Sequence, residues 1–293
     1  MRVFLTGATG FIGSAIVKEL LKAGHYPIGL ARTDAAAQKL EAAGVEVHRG
    51  HLEDLESIKS GAAKADAVIH TGFIHDFANF KKYCELDRQV IGAMGEVVKG
   101  PIVVASGTAL IARGTVTTEQ DQPLVSTDVI PRIATEEAVA AVVARGGNAS
   151  LVRLTPTVHA AGDQGFIPII INAAKTGGAA FYIGEGQNRW PAVHRNDAAR
   201  LFVLAMEQST PGAIYHAVAE EGITTKELAG VMAKHLDIPL KSIPAEEAGA
   251  SMGFLGMMWS MDQPSSGKLT QEKLGWQPKE VGLIEDMEEN YFK

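Results

Sequence analysis

Gly7, Gly10 and Gly13 recur every third residue in Thr6-Gly7-Ala8-Thr9-Gly10-Phe11-Ile12-Gly13, a stretch that few local structures accommodate. The run Val3-Phe4-Leu5 before it is apolar and short, as a buried strand would be. After it, Ile16, Val17, Leu20 and Leu21 share one helical face between Ser14 and Ala23, and Gly24 ends the pattern. In a strand–turn–helix unit, Gly7 permits the tight turn and Gly10 removes the Cβ that would hold a ligand away from the backbone. Gly13 lets the helix lie close to the strand. The helix start offers unpaired N–H groups and the positive end of its dipole, which suits phosphate. The expectation is a pyrophosphate cradle for a dinucleotide, with Thr9, Phe11 and Ile12 beside the glycines; the competing reading is an ordinary strand-to-helix turn.

The 293 residues suffice for a large α/β core or for a core plus a lobe. A net charge of −7 disfavours nucleic acid and anionic membrane surfaces as partners. No apolar run approaches the ~20 residues of a membrane span, and the N-terminus enters a strand without a signal-peptide layout. Cys84 is the only cysteine, which excludes an intrachain disulfide and fits a reducing cytoplasm. Neither His-Glu-x-x-His nor paired cysteines occur, so no metal site is expected.

Strand and helix patterns alternate through the first half, which predicts a doubly wound parallel sheet. Strands are expected at 27–30, 45–48, 67–70, 102–105 and 151–154. Helices are expected after Thr33 or Asp34, after Asp54, over 79–99 and over 133–145, with a loop across 107–130. Beyond Pro156 the regular alternation lapses. Phe166-Ile167-Pro168 opens a helix, Gly184-Glu185-Gly186 turns, Asn196 or Asp197 caps a helix to Met206, a strand covers 213–218, and Thr225 caps another helix. The division expected is a doubly wound domain over 1–157, rejoined by about 189–218, and a smaller lobe from 158–188 and 219–293.

The Gly-x-x-Gly-x-x-Gly spacing after Thr6 resembles that of extended and atypical short-chain dehydrogenase/reductases, the NAD(P)-dependent epimerase/dehydratase-like group. Further segments carry the resemblance. They are Thr71-Gly72-Phe73, Gln89-Val90-Ile91-Gly92 (Gln where the group has Asn), Pro156-Thr157-Val158, Gly184 to Asp197 and Leu274-Gly275-Trp276-Gln277-Pro278. The resemblance implies that the first division is a Rossmann domain carrying NAD(P) and the second a smaller α/β substrate-binding lobe, that Thr71, Gly72 and Phe73 lie along the cofactor and that Pro156 and Val158 flank its nicotinamide. It implies that His51 and Leu52 meet the adenine, where the group commonly has Asp-Leu. It also implies a homodimer through the Ile133–Arg145 helix and the one before it.

In NAD-binding Rossmann folds an acid ending the second strand takes the ribose hydroxyls. Here Leu30-Ala31-Arg32 places Ala31 at that position and Arg32 next to it. The neutral residue removes repulsion from a 2′-phosphate and the guanidinium can pair with it, so NADP is expected over NAD. Asp34 is the alternative ribose ligand, or a helix cap.

The group's Ser/Thr and Tyr-x-x-x-Lys machinery is incomplete. Ser106 or Thr108 can ligate a substrate oxygen, but the next helix has no tyrosine, and the matching positions read Arg132 and Glu136. Arg132 could polarise an oxygen while Glu136 accepts ribose hydroxyls, or the two form an i,i+4 ion pair. The chain resembles the atypical subgroup lacking the active-site Tyr and Lys. His75 and His159 are the candidate proton sources, with Tyr83 in reserve, whereas His25, His48, His216 and His235 read as structural. The methionine-rich run Met252 to Met261 is a wall for an apolar substrate or lobe core, and Arg189 sits where sugar-nucleotide relatives bind phosphate. The expected activity is NADP-dependent reduction of a C=O or C=N bond in a partly apolar small molecule. The alternatives are a dinucleotide-binding sensor without chemistry and an epimerase or dehydratase.

Overall fold

Strand β1 (Arg2–Thr6) runs through the centre of the molecule and turns at Gly7, whose φ is +74°, into helix α1 (Phe11–Lys22). The computed structural model describes all 293 residues. The chain continues through β2 (Tyr26–Ala31), α2 (Asp34–Ala42), β3 (Glu46–Arg49), α3 (Leu55–Ala62) and β4 (Ala67–His70). It then forms α4 (Phe80–Val97), β5 (Ile102–Gly107), α5 (Ala134–Ala144) and β6 (Ala149–Leu154). These strands read as near-continuous apolar runs because both sheet faces are covered. Packed on one face are α1, α2 and the later helix α7 (Arg195–Gln208), around Leu5, Ile16, Leu20, Ile69 and Phe202. On the other are α3, α4 and α5, around Phe4, Ile58, Ile91, Met94 and Val142.

The main sheet has seven parallel strands in the order β10-β6-β5-β4-β1-β2-β3, with β10 (Ile214–Ala217) paired to β6 from much later in the chain. Strand order reverses between β1 and β4, and such a switch point leaves a crevice at the carboxyl ends of the strands. The doubly wound Rossmann architecture expected from the alternation is therefore the observed one.

A smaller α/β assembly covers that end of the sheet. It contains β7 (Thr157–His159), α6 (Phe166–Gly177), β8 (Ala180–Ile183) and β9 (Arg189–His194). After β10 it adds β11 (Glu220–Thr224), α8 (Thr225–Leu236), β12 (Leu240–Ile243), α9 (Ala245–Met252) and α10 (Phe254–Ser260). Sheets β11-β9-β7 and β12-β8 enclose a core around Trp190, Trp259, Leu228 and Met232. Residues 189–194, grouped above with the Rossmann part, pair in the small sheet, and the chain rejoins the large one only from α7 onward. Helix α11 (Lys268–Leu274) then lies against β10, and Trp276 is buried in the Rossmann core. The closing helix α12 (Leu283–Asn290) returns to the lobe.

Two expected caps move. His194, not Asn196 or Asp197, caps α7, its Nδ1 accepting from the Asn196 N–H at 3.2 Å. Asp197 is buried instead and accepts the N–H groups of Lys279 and Glu280 at 2.8 and 3.0 Å. Thr224 rather than Thr225 caps α8 in a capping box with Glu227, because the Thr225 hydroxyl donates to Asn188 at 2.6 Å. The expected loop over 107–130 opens with a 3-10 turn, Thr108–Ile111, and is pinned where Thr117 pairs with Pro264–Ser266.

Candidate active site

The crevice is a cavity of about 890 Å³ that runs from the glycine turn to the first turn of α6. Gly7, Thr9, Gly10, Phe11, Ile12 and Gly13 form its floor. A Cβ on Gly13 would stand 2.0 Å from the Gly7 carbonyl oxygen, so only glycine lets α1 start this close to β1. On Gly7 it would meet the Thr71–Gly72 backbone at 2.9 Å. Gly10 caps α1 without a side-chain bond, which leaves the first-turn N–H groups to whatever occupies the cavity. Thr71 and Gly72 press flush against this turn, the Thr71 hydroxyl donating to the Thr6 carbonyl at 2.9 Å and the Gly72 N–H to the Thr6 hydroxyl at 3.1 Å.

One end of the cavity is made by Leu30, Arg32, Thr33, Ala36, Gly50, His51, Leu52 and Glu53. Arg32 makes no ion pair within the chain, whereas Asp34 does not line the cavity and pairs with Arg49 at 2.5 Å. Thr33 caps α2 and Ala31 is buried, so neither Asp34 alternative, cap or ribose ligand, is the one this structure forms; the charged side chains lining this end are Arg32 and Glu53.

Phe73, Ile74, His75 and Phe77 wall the other end, facing Thr155, Pro156, Val158 and the Asp163–Ile169 segment. Phe73 is fixed from behind by Arg132, whose guanidinium lies 4.0 Å from the ring centroid. Arg132 in turn donates to Asp87 on α4 at 2.7 Å. Asp87 also accepts from His70 Nε2 at 2.9 Å and the Thr135 hydroxyl at 2.5 Å. Burial opposes its charge, but Arg132, His70 and Thr135 outweigh that and hold its carboxyl well below the usual range. The i,i+4 ion pair, one of the two readings of Arg132 and Glu136, does not form. Arg132 lies in a 3-10 turn, Pro131–Ile133, before α5 begins, so four-residue spacing does not align the two side chains.

Glu136 instead faces the protein interior. It accepts from Ser106 at 2.8 Å and takes a two-point contact from Arg153, at 2.8 and 2.7 Å. Neither Ser106 nor Glu136 lines the cavity. They cross-brace β5, α5 and β6, so the bonding capacity invoked for the oxygen-ligand and ribose-ligand roles is used within the core in this structure. Thr108 is buried and likewise outside the cavity.

The two histidine candidates separate. His75 lines the cavity, edge-on to Phe73 at 5.0 Å between ring centroids. Desolvation against the aromatic wall first, and then the charge of Arg132, lower its pKa although the side chain stays open to solvent, so the imidazole is neutral at neutral pH. His159 is fully buried outside the cavity, its Nδ1 bonded to Asp286 at 2.8 Å, and burial lowers its pKa as well. No tyrosine or lysine lines the cavity, Tyr83 included.

Several lining residues escaped the sequence reading, among them Phe77, Thr155, Asp163, Gln164 and Phe166. Only the helix start at Phe166 hinted at them. The methionine-rich run divides between its two readings. Met258 and Trp259 are lobe core, whereas half-exposed Phe254 reaches Phe77 and Phe166, at 5.4 and 6.5 Å, and extends the aromatic rim. Arg189 is held by Asp262 at 2.8 Å, outside the cavity.

An uncharacterized protein of Schizosaccharomyces pombe is 50% identical to this chain over 294 residues, covering 98% of each. The 2-alkyl-3-oxoalkanoate reductase of Stenotrophomonas maltophilia is 28% identical over 225 residues, 73% of this chain and 67% of that protein. Among solved structures, the UDP-glucose 4-epimerase of Thermus thermophilus in complex with NAD is similar at a TM-score of 0.75. That likeness covers 98% of this chain and 96% of the epimerase, and at 22% identity it is one of fold. A sequence profile matches residues 3–218, from β1 through β10, and the chain accordingly belongs to the NAD dependent epimerase/dehydratase family.

Proposed function

We propose that the protein is an NADP-dependent oxidoreductase that reduces a C=O or C=N bond in a partly apolar small molecule. The observation that carries this reading is the continuity of one cavity, from an unpaired arginine at one end, over a glycine cradle fit for pyrophosphate, to an aromatic far end. The α1 amides and Gly10 would hold the pyrophosphate. Arg32 would pair with a 2′-phosphate, with no acid at the end of β2 to repel it. Thr71, Gly72, Pro156 and Val158 would border the nicotinamide half. Bound there, the reduced dinucleotide supplies a hydride. Phe73, Phe77 and Phe166 offer apolar surface to the acceptor, and neutral His75 can orient its oxygen or nitrogen by a hydrogen bond.

The reductase named among the relatives acts, by its name, on an oxoalkanoate, which supports a carbonyl acceptor. Epimerisation or dehydration of a sugar nucleotide is the second reading, consistent with the family. Arg189 weighs against it, because its guanidinium is already engaged by Asp262. The test is NADPH oxidation across a panel of apolar ketones, cyclic imines and sugar nucleotides, with NADPH and NADH affinities from nicotinamide fluorescence. Turnover of apolar ketones or imines with NADPH is expected. Equal dinucleotide affinities refute the cofactor assignment, and conversion of sugar nucleotides alone refutes the reductase.

A further inference from the structure

A carbonyl reductase must also deliver a proton, and the far end of the cavity holds only two titratable side chains, His75 and Asp163. We propose that Asp163 is the proton donor to the substrate oxygen and that Tyr291 positions its carboxyl; the proposal rests on the reductase reading above. Asp163 lies between Val158 and the first turn of α6 and lines the same cavity as His75. It is also the one residue shared with a second cavity of about 380 Å³, whose polar lining includes Asn172, Lys175, Asn290 and Tyr291. A side chain between two chambers can give a proton on one side and recover it from water on the other.

The carboxyl is held on both oxygens. Oδ1 accepts the Gly165 N–H at 2.7 Å, and Oδ2 accepts the Tyr291 hydroxyl at 2.8 Å. Each oxygen keeps a further lone pair for a proton. Tyr291 comes from the end of α12, which also carries Asp286, the partner of His159 Nδ1 at 2.8 Å. The charged and titratable groups around Asp163 are thus Tyr291 and Asp286 from this end of the chain, His159 from β7, Lys175 from α6 and His75 across the cavity. Burial first, with the Asp286 charge adding, pushes the Asp163 carboxyl above its ordinary value, against the Gly165 and Tyr291 bonds.

The step balances as a two-electron reduction. The carbonyl carbon takes a hydride from the reduced dinucleotide, and the C=O π pair moves to oxygen. That oxygen takes the Asp163 proton, leaving a carboxylate stabilised by the Tyr291 hydroxyl. Water in the second cavity returns the proton.

The experiment compares wild type, Asp163→Asn, Asp163→Glu and Tyr291→Phe by ketone reduction against pH, NADPH titration and melting. Infrared difference spectra of the protein without dinucleotide give a readout apart from activity. Asp163→Asn should lower kcat by ~10²–10⁴ with NADPH affinity and melting unchanged, and should lose the fall in rate as pH rises. Asp163→Glu should keep that fall. Tyr291→Phe should move it to higher pH, because the hydroxyl stabilises the charged form. The wild type should show a protonated-carboxyl band, absent from Asp163→Asn, above the pH at which exposed carboxylates ionise. An Asp163→Asn enzyme with the wild-type rate and pH profile, or the absence of that band, overturns the assignment. A wild type that binds NADPH yet reduces no ketone or imine overturns the reductase reading, and this role with it.

Discussion

Gly13→Ala perturbs the cradle with the smallest possible side chain. The added Cβ stands 2.0 Å from the Gly7 carbonyl oxygen, 2.7 Å from the Gly7 carbonyl carbon and 3.1 Å from Ala8 Cα. All three are backbone atoms, so no rotamer change relieves the overlap. Restoring ordinary contact, near ~3.5 Å, requires α1 to withdraw by more than ~1 Å. That helix is seated by Ile16, Val17 and Leu20 in the main core, so withdrawal opens packed contacts. Overpacking against an immovable neighbour costs up to ~3 kcal/mol, and alanine returns about 1 kcal/mol as the better helix former, for a net loss of about 2 kcal/mol. Gly92→Ala in α4 is the matched control. Nothing lies within 4 Å of its Cβ, so the same substitution should stabilise by about 0.5–1 kcal/mol. Urea unfolding at constant m-value reads both, and NADPH titration should show weaker binding for Gly13→Ala only. Shifts of the same sign for the two variants, or unaltered NADPH affinity in Gly13→Ala, would refute the close-approach argument.

Arg32→Ala should weaken NADPH by ~1.5–3 kcal/mol and leave NADH nearly unchanged, while Asp34→Ala affects neither; fluorescence titration decides. Glu136→Gln strands the buried Arg153 guanidinium and should cost ~3–5 kcal/mol in urea unfolding, whereas Ser106→Ala, losing one bond to that carboxylate, should cost ~1.5 kcal/mol and spare NADPH affinity. Burial lowers the His216 pKa to about 4 in the folded protein. Relative to an ordinary unfolded value near ~6.5, its contribution to stability is complete above that pH and drains away as pH falls toward about 4. Urea midpoints at stepped pH should fall through that window and fall less steeply in His216→Gln.

The glycine cradle was legible because its cause is local: a turn, a close approach and a helix start lie within eight residues. Arg32 was legible for the same reason, following directly on the strand that aims it. Glu136 was not, since its partner Arg153 arrives on the neighbouring strand and the spacing to Arg132 took a continuous α-helix for granted. Asp87 carries no motif, yet it gathers His70 from β4 and Arg132 and Thr135 from around the start of α5. Tyr291 reaches Asp163 across 128 positions of sequence, a meeting that depends on where α12 docks. Local geometry specifies the glycine end of the cavity, and long-range docking specifies the aromatic end.

The late arrival of β10 bears on how the protein is made. Strand β6 is finished at Leu154, but its outer edge stays without a partner until Ile214–Ala217 has been synthesised. At ~5–20 residues per second, the intervening stretch of about 60 residues leaves that edge open for about 3–12 s on the ribosome. An apolar parallel strand with free backbone groups is a template for pairing with another chain. Nascent chains arrested between β6 and β10 should therefore be the ones that chaperones hold and that aggregate when chaperones are scarce. Release of the full length should end the exposure, as β10 zips onto β6 and Trp276 seals the layer behind it.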